Sequence, residues 1–197
     1  MELVTTLGGT LGFSFAAGIN LYATVAMLGL AARFGWVTLP PQFQVFDNDV
    51  VIVCAVVMYA IEFFADKIPY VDSLWDAIHT AIRPIGGALI AVNTLGDASP
   101  ATEGLVALLG GTVAASTHLT KTSTRAVANT SPEPFSNWML SLAEDVFVVG
   151  LSYVAMTHPI AAFAIATVLL VLIAAFSVVI VRTVRRWFAR RRRLAPA

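Results

Sequence analysis

Acidic, basic and imidazole side chains recur at helical spacing in the segment VDSLWDAIHTAIRP, residues 71–84. Asp72, Asp76, His79 and Arg83 stand at positions i, i+4, i+7 and i+11, a spacing that places them on one face of an α-helix. Carboxylates can bind cations or carry protons, imidazole titrates near neutral pH, and guanidinium binds carboxylates or anions. The pattern predicts a polar stripe that could bind an ion.

Three further segments carry polar side chains at the same kind of spacing. They are YAIEFFADKIP, THLTKTSTRAVANTS and SNWMLSLAEDV, and each adjoins an apolar run. We interpret all four stripes as parts of one site, in which acids pair with bases contributed by other helices. The candidate ion- or ligand-binding residues are Glu62, Asp66, Asp72, Asp76, His79, Arg83, His118, Lys121, Arg125, Asn129, Asn137, Ser141, Glu144 and Asp145.

The elements that position these side chains must be strongly apolar. Of the 197 residues, 58% are hydrophobic and only 12% are charged, whereas soluble domains carry about 25% charged residues. So few charged residues cannot cover a surface exposed to water. The composition predicts an all-α, polytopic transmembrane helical bundle that forms a single domain over residues 1–182.

Apolar runs of around 20 residues predict about six transmembrane helices. The first and fourth runs are longer than a straight span requires, so each must tilt, break or protrude. Weak points are Gly18 to Asn20 in the first run and Arg83-Pro84 in the third. Asn20 is a further candidate site residue, since a broken helix frees backbone groups that can bind an ion. The predicted spans are 3–34, 49–66, 70–95, 101–129, 136–156 and 160–182.

A short internal similarity raises the possibility of a repeat. The sequence LGGT occurs at residues 7–10 and again at 109–112. An inverted three-plus-three repeat of residues 1–96 and 101–182 would produce this pattern, and inverted repeats build many transporters. A chance match in an apolar, glycine-rich chain would produce it as well.

Basic residues predict the orientation of the bundle. Seven of the twelve stand at or after Arg182, so the positive-inside rule places both termini in the cytoplasm. The four stripes then lie in the cytoplasmic half, around an inward-facing polar cavity. The basic tail, residues 183–197, is predicted to bind anionic lipid headgroups rather than nucleic acid. Its headgroup-binding residues are Arg185, Arg186, Arg190, Arg191, Arg192 and Arg193.

Three function classes remain open on the sequence alone. The first is a small transporter or channel-like protein for an ion or small polar solute, which the short chain predicts to work as a homodimer. The second is a metal-dependent enzyme acting on a lipid-linked phosphate, because Mg²⁺ favours carboxylates. The third is a non-catalytic membrane scaffold whose stripes form a structural salt-bridge network. Common hydrolase, P-loop and dinucleotide-binding motifs are absent, and no cofactor is predicted.

Two long phrases, DKIPYVDSLWDAIHTAIRPIGGAL and THLTKTSTRAVANTSPEPFSNWMLSLAEDV, resemble a bacterial membrane family. It is the domain-of-unknown-function family numbered four-one-two-six, and the resemblance covers roughly residues 3–157. It implies an integral protein of the inner membrane and no particular activity. Members of the family often have Gly-Leu-Arg in the first helix, where this chain has Gly18-Ile19-Asn20. The missing positive charge puts a charge balance shared with the family in doubt.

Overall fold

The computed structural model describes residues 2–129 and 135–194, and this part of the chain is helical without β-strands. The predicted all-α fold is therefore confirmed. The elements are α1 (Glu2–Ile19), α2 (Leu21–Phe34), a short 3-10 helix (Pro41–Phe46), α3 (Asp49–Ala65), α4 (Pro69–Leu95), α5 (Pro100–Ala128), α6 (Phe135–Thr157) and α7 (Pro159–Leu194).

Local sequence signals set most of these boundaries. Proline occupies the first position of α4, α5 and α7, where its missing N–H would have no helical partner in any case. The Asn48 side chain caps α3 by accepting from the Val50 and Val51 amides at 2.9 and 3.3 Å. Arg83-Pro84, the weak point named in the third predicted run, does not interrupt the helix, and α4 continues through it to Leu95.

The break predicted in the first long segment is confirmed. Asn20 has an extended backbone, with φ −147° and ψ 100°, and separates α1 from α2. Its side-chain oxygen accepts a hydrogen bond of 2.9 Å from the Ala23 amide, which makes it the N-cap of α2. The fourth predicted segment, by contrast, forms the single unbroken helix α5 of 29 residues.

Helix α1 runs antiparallel to α4. A Cβ atom on Gly9 would stand 2.9 Å from Thr94 Cγ2, near the end of α4. Nine residues later the Gly18 carbonyl accepts a hydrogen bond of 3.4 Å from Arg83, in the middle of α4. The chain has then reached about half the depth of the bundle.

Helix α2 returns to the side from which α1 started. A Cβ atom on Gly29 would stand 2.7 Å from Ile52 Cγ1, in the first turns of α3. At the end of α2, Arg33 forms ion pairs with Asp47 and Asp49, just before and at the start of α3. We call α1 and α2 together the re-entrant hairpin, with Asn20 at its tip.

This reversal corrects the predicted topology. The segment 3–34 is not one span, because the chain reverses at Asn20. Helix α1 begins at the end of the bundle where α4 ends, which we call the Asp97 end. Helix α7 finishes at the opposite end, where α3 meets α4 (the Lys67 end). The prediction that both termini share a side is therefore not confirmed by this structure. The inverted repeat is not confirmed either, since α5 runs straight where its counterpart reverses.

The surface of the bundle is rich in large apolar side chains. Two helices of the described part, Phe135–Thr157 and Pro159–Thr183, are long and apolar enough to cross a membrane. Only 6% of the apolar window of α7 is buried, and Val171 and Phe176 on this helix are 61% and 64% exposed. These features indicate that the protein associates with a membrane.

Candidate functional site

The predicted candidate residues of the four stripes come together with the hairpin tip in one place. They lie in the half of the bundle toward the Lys67 end, where α3 ends, α4 begins, and α5 and α6 adjoin the turn between them. We call this set the polar cluster. Its members are Asn20, Glu62, Asp66, Asp72, Asp76, His79, Arg83, His118, Lys121, Arg125, Asn129, Asn137, Ser141, Glu144 and Asp145.

Arg83 links α4 to α3 and α5. Its side chain is fully buried, and Nη2 donates to Glu62 Oε1 at 2.7 Å, while Nη1 lies 3.3 Å from Asp76 Oδ1. Nη1 also donates to His118 Nδ1 at 2.7 Å. Since Nδ1 accepts, this imidazole is neutral with its proton on Nε2, which donates to the Asp76 carbonyl at 3.1 Å.

Lys121 connects the hairpin tip to α3. Its ammonium lies 3.1 Å from Asp66 Oδ2 and 3.4 Å from Glu62 Oε1. It also donates a hydrogen bond of 3.2 Å to the Ile19 carbonyl, the last of α1. The helix break exposes such carbonyls, and here a buried cation satisfies one of them.

Arg125 makes the largest number of polar contacts in the cluster. Nη2 donates to Glu144 Oε2 at 2.7 Å and to Asp66 Oδ2 at 3.0 Å. Nη1 donates to Asn137 Oδ1 at 2.8 Å and lies 3.9 Å from Asp72 Oδ1. One guanidinium therefore joins α3, α4 and α6 to its own helix, α5.

At the α4 side of the cluster, one side chain outside the predicted set, that of Tyr22, completes the contacts of His79. His79 Nδ1 donates to the Trp75 carbonyl at 2.7 Å, so Nε2 accepts from the Tyr22 hydroxyl at 2.9 Å. The sequence analysis missed Tyr22, although its place two residues after the predicted break was a usable signal. Asn129 donates to Asp72 Oδ2 at 2.9 Å.

Helix α6 brings a second carboxylate to the hairpin tip. Asn20 Nδ2 donates to Asp145 Oδ1 at 3.3 Å. Asp145 Oδ2 and the hydroxyl of Ser141, one turn earlier on the same buried face, have no hydrogen-bond partner in the described part of the chain. Buried polar atoms without a partner cost free energy, so both are potential ligand contacts.

Negative charge exceeds positive charge in the polar cluster. Six carboxylates, on Glu62, Asp66, Asp72, Asp76, Glu144 and Asp145, face the three cationic side chains of Arg83, Lys121 and Arg125. Lys67 lies in the adjoining turn, where its ammonium donates to the Phe63 carbonyl at 2.8 Å and burial lowers its pKa. Even with Lys67 counted, the carboxylates are in excess.

The cluster is packed more tightly than the sequence led us to expect. Its buried charged side chains are between 0% and 7% exposed, and only Glu144, at 14%, reaches the surface appreciably. The stripes therefore contact one another directly instead of lining a wide inward-facing cavity. Within residues 2–129 and 135–194, no group of three or more His, Cys, Asp or Glu side chains is placed to hold a metal ion.

The predicted lipid-binding residues lie apart from the cluster, on the last turns of α7. Helix α7 continues without interruption from the apolar span into the basic segment, so the tail begins as helix. Arg185 and Arg186 are exposed there. The side chains of Arg190, Arg191, Arg192 and Arg193 lie outside the described part of the structure.

Comparison with known protein families gives a match over most of the chain. The family described as "Domain of unknown function (DUF4126)" matches residues 7–179, a stretch that includes every residue of the polar cluster. Neither the curated proteins nor the solved structures include a match to the chain.

Proposed function

The chain belongs to the DUF4126 family, whose function is unknown, and we propose that it is a small membrane transporter that binds and releases protons at the polar cluster. In this proposal α3 to α7 cross the bacterial inner membrane and the re-entrant hairpin enters it from the Asp97 end. The Lys67 end faces the cytoplasm, since Lys67 and the basic end of α7 lie there. The homodimer and the binding of anionic lipids stay predictions.

The excess of buried carboxylates is the observation that carries the proposal. An ionised carboxylate buried without a counter-charge costs several kcal/mol after relaxation of its surroundings. Six carboxylates that share three buried cations cannot all remain ionised at that cost. Protons or bound cations must therefore compensate part of the negative charge. Fewer of them are needed when water enters the cluster, because water lowers the cost of an ionised carboxylate.

A proton is the cation that the geometry supports best. Three of the carboxylate oxygens without a hydrogen-bond partner in the described residues, Glu62 Oε2, Asp66 Oδ1 and Asp145 Oδ2, belong to separate carboxyl groups, and each can carry a proton. Metal binding would need several of these oxygens around one point, and no such group occurs in the described residues. A proton needs only one oxygen and can leave without rearrangement of a coordination shell.

The re-entrant hairpin supports transport rather than a purely structural role. Its tip ends in the polar cluster, where Lys121 and Arg83 bind the carbonyls of Ile19 and Gly18. Broken helices that end near the middle of the membrane are common at the binding sites of secondary transporters. A movement of the hairpin would change the contacts of the Asn20 amide, and with them the environment of Asp145.

Infrared spectroscopy of the purified protein in lipid tests the proton binding directly. We expect the carbonyl stretching band of protonated carboxylic acids to be present at neutral pH, and Asp145→Asn or Glu62→Gln to remove part of it. Asp97→Asn, an exposed change at the opposite end of the bundle, is the matched control and leaves the band unchanged. A spectrum without protonated carboxyl groups would contradict the proposal.

Proteoliposomes test the transport function. The liposomes carry a pH gradient across their membrane and contain either a lipophilic or a hydrophilic cation. We expect proton movement across the membrane to be faster with the protein than in liposomes without protein. Asp145→Asn should slow this exchange at least about tenfold, whereas Asp97→Asn should not. If Asp145→Asn and Glu62→Gln both lower thermal stability but leave every flux at the level of the wild type, the cluster is a structural network and the protein is a scaffold.

A further inference from the structure

The half of α7 toward the Lys67 end stands away from its neighbours, and the re-entrant hairpin is the reason. Helix α7 runs parallel to α1 at first, since Cβ atoms on Gly8 and Gly12 would touch Pro159 and Ala162. Helix α1 then ends at Ile19 and the chain turns back. From there toward the Lys67 end, no helix of the described residues fills the space between α7 and the wall that α5 and α6 form.

Two cavities occupy this space, one on each side of α7. The first, of about 740 Å³, lies between α5 and α7. The second, of about 810 Å³, lies under the hairpin tip between α6 and α7, and we call it the groove. Its walls are apolar, with Phe15, Phe147 and Phe176 among the lining residues. A volume of this size is within the usual range for small-molecule pockets, about 300–1,000 Å³.

Glu144 is the one charged residue among those that line the groove in the described structure. It is also the most exposed carboxylate of the polar cluster, so it connects the cluster to the groove. Its Oε2 holds the short 2.7 Å bond to Arg125 Nη2. Its Oε1 has a longer contact of 3.3 Å with Arg125 Nε and can accept another partner.

We propose that the groove binds a lipophilic cation, with the apolar body against α7 and the positive charge at Glu144. This inference rests on the proposed transport function and names its substrate class. The apolar walls disfavour a small hydrated ion, because its water shell would be lost without replacement. Arg125 and Lys121 contact Glu144 at 2.7 and 3.6 Å, but the polar cluster as a whole has six carboxylates for three cations. Its net negative charge repels a lipophilic anion and attracts a cation, and this attraction is stronger in an apolar medium than in water.

The same charge excess couples the ligand to protons. A cation at Glu144 and a proton on a carboxyl group of the cluster both reduce the excess negative charge, so each weakens the binding of the other. Binding of the cation therefore releases protons and weakens as the pH falls. If the protein exchanged protons that enter the cell for the cation, the proton gradient would drive export of the cation.

Binding to the full-length protein in nanodiscs of neutral lipid tests the site without requiring transport. The probe is tetraphenylphosphonium, and tetraphenylborate is the control because it has the same shape and the opposite charge. After subtraction of empty nanodiscs, we expect saturable binding of tetraphenylphosphonium and at least about tenfold weaker binding of tetraphenylborate. Binding of the cation should also weaken at lower pH.

Two variants and one matched control locate the site. Glu144→Gln should weaken tetraphenylphosphonium binding about tenfold or more, and Ala175→Trp should block it by filling the groove. Val178→Trp places the same side chain on the same helix, at a residue that is exposed and lines neither cavity, and should bind like the wild type. If Glu144→Gln lowers thermal stability, the pair of tryptophan variants decides the result.

Several outcomes would overturn the inference. Equal binding of both probes would mean an apolar groove filled by lipid chains, and unchanged binding in Ala175→Trp would place the probe elsewhere. If no saturable binding is seen but the infrared band of protonated carboxyl groups is present, the lipophilic cation is not the ligand. The proposed proton binding would not be contradicted by that result. Binding of the probe without that infrared band would contradict the proton-coupled function instead.

Discussion

The side chain of Asn20 donates a hydrogen bond of 3.3 Å to Asp145, which joins the tip of the re-entrant hairpin to the middle of α6. The same amide group accepts from the Ala23 backbone at 2.9 Å. One side chain therefore starts α2 and at the same time provides a donor to a buried carboxyl group. Loss of this side chain would therefore affect both the start of α2 and the surroundings of a buried carboxyl group.

Replacement of Asn20 by alanine should be unusually destabilising. Loss of an N-cap costs about 0.5–2 kcal/mol, and a buried acceptor left without its donor costs about 1–3 kcal/mol more. Asn48→Ala is the matched control, because Asn48 caps α3 in an exposed position and contacts no carboxylate through its cap. The free energy of unfolding, measured by denaturant titration in detergent, should fall further for Asn20→Ala. Equal losses would show that the bond to Asp145 contributes nothing.

Arg125 should be the cation that is hardest to replace. Breaking a buried ion pair from one side costs about 3–5 kcal/mol, and Arg125→Gln would leave both Asp66 and Glu144 without this partner. Arg125→Lys keeps the charge and loses the planar fork, so we expect an intermediate loss of thermal stability. Arg33→Gln, at an exposed pair, is the control and should change the melting temperature little. The prediction fails if Arg125→Gln and Arg33→Gln behave alike.

Gly18 and Gly104 should respond to alanine with opposite signs. A Cβ atom on Gly18 would stand 2.8 Å from Thr117 Cβ and 2.9 Å from Ala114 Cα, so it would push α1 away from α5. Overpacking of this kind costs about 1–3 kcal/mol. Gly104 lies within α5 with open space around it, and alanine there should stabilise the helix by about 0.5–1 kcal/mol. Thermal unfolding of both variants checks the packing of the hairpin against α5.

Cysteine labelling can test the reversal at Asn20. In a background of Cys54→Ala, single cysteines at Leu3, Asp97 and Arg182 occupy exposed positions on α1, on the turn after α4 and on α7. A membrane-impermeant maleimide should label Leu3→Cys and Asp97→Cys from one side of oriented vesicles and Arg182→Cys from the other. Six simple spans would instead put residues 3 and 182 on one side and residue 97 on the other.

Much of the fold could be predicted from the sequence, because the signals are local. Prolines at 69, 100 and 159 stand at the first positions of three helices, and Asn20 marked the break between α1 and α2. Pro84 was misleading, since a proline inside a well-packed helix can be accommodated and α4 continues through it. Most residues of the polar cluster could be predicted because helical spacing alone places them on one face of each helix.

The sequence by itself determined where the helices lie and which faces are polar, since periodicity, caps and prolines act within a few residues. Only the tertiary structure decided that the chain turns back at Asn20, because a break permits either direction and packing against α3 and α4 selects one. It also decided that Arg125 meets Glu144 and Asp66, and that Asp145 meets Asn20. These pairs depend on the rotation and depth of separate helices. The groove beside Glu144 follows from both, because α1 stops halfway and leaves a space between α7 and its neighbours α5 and α6.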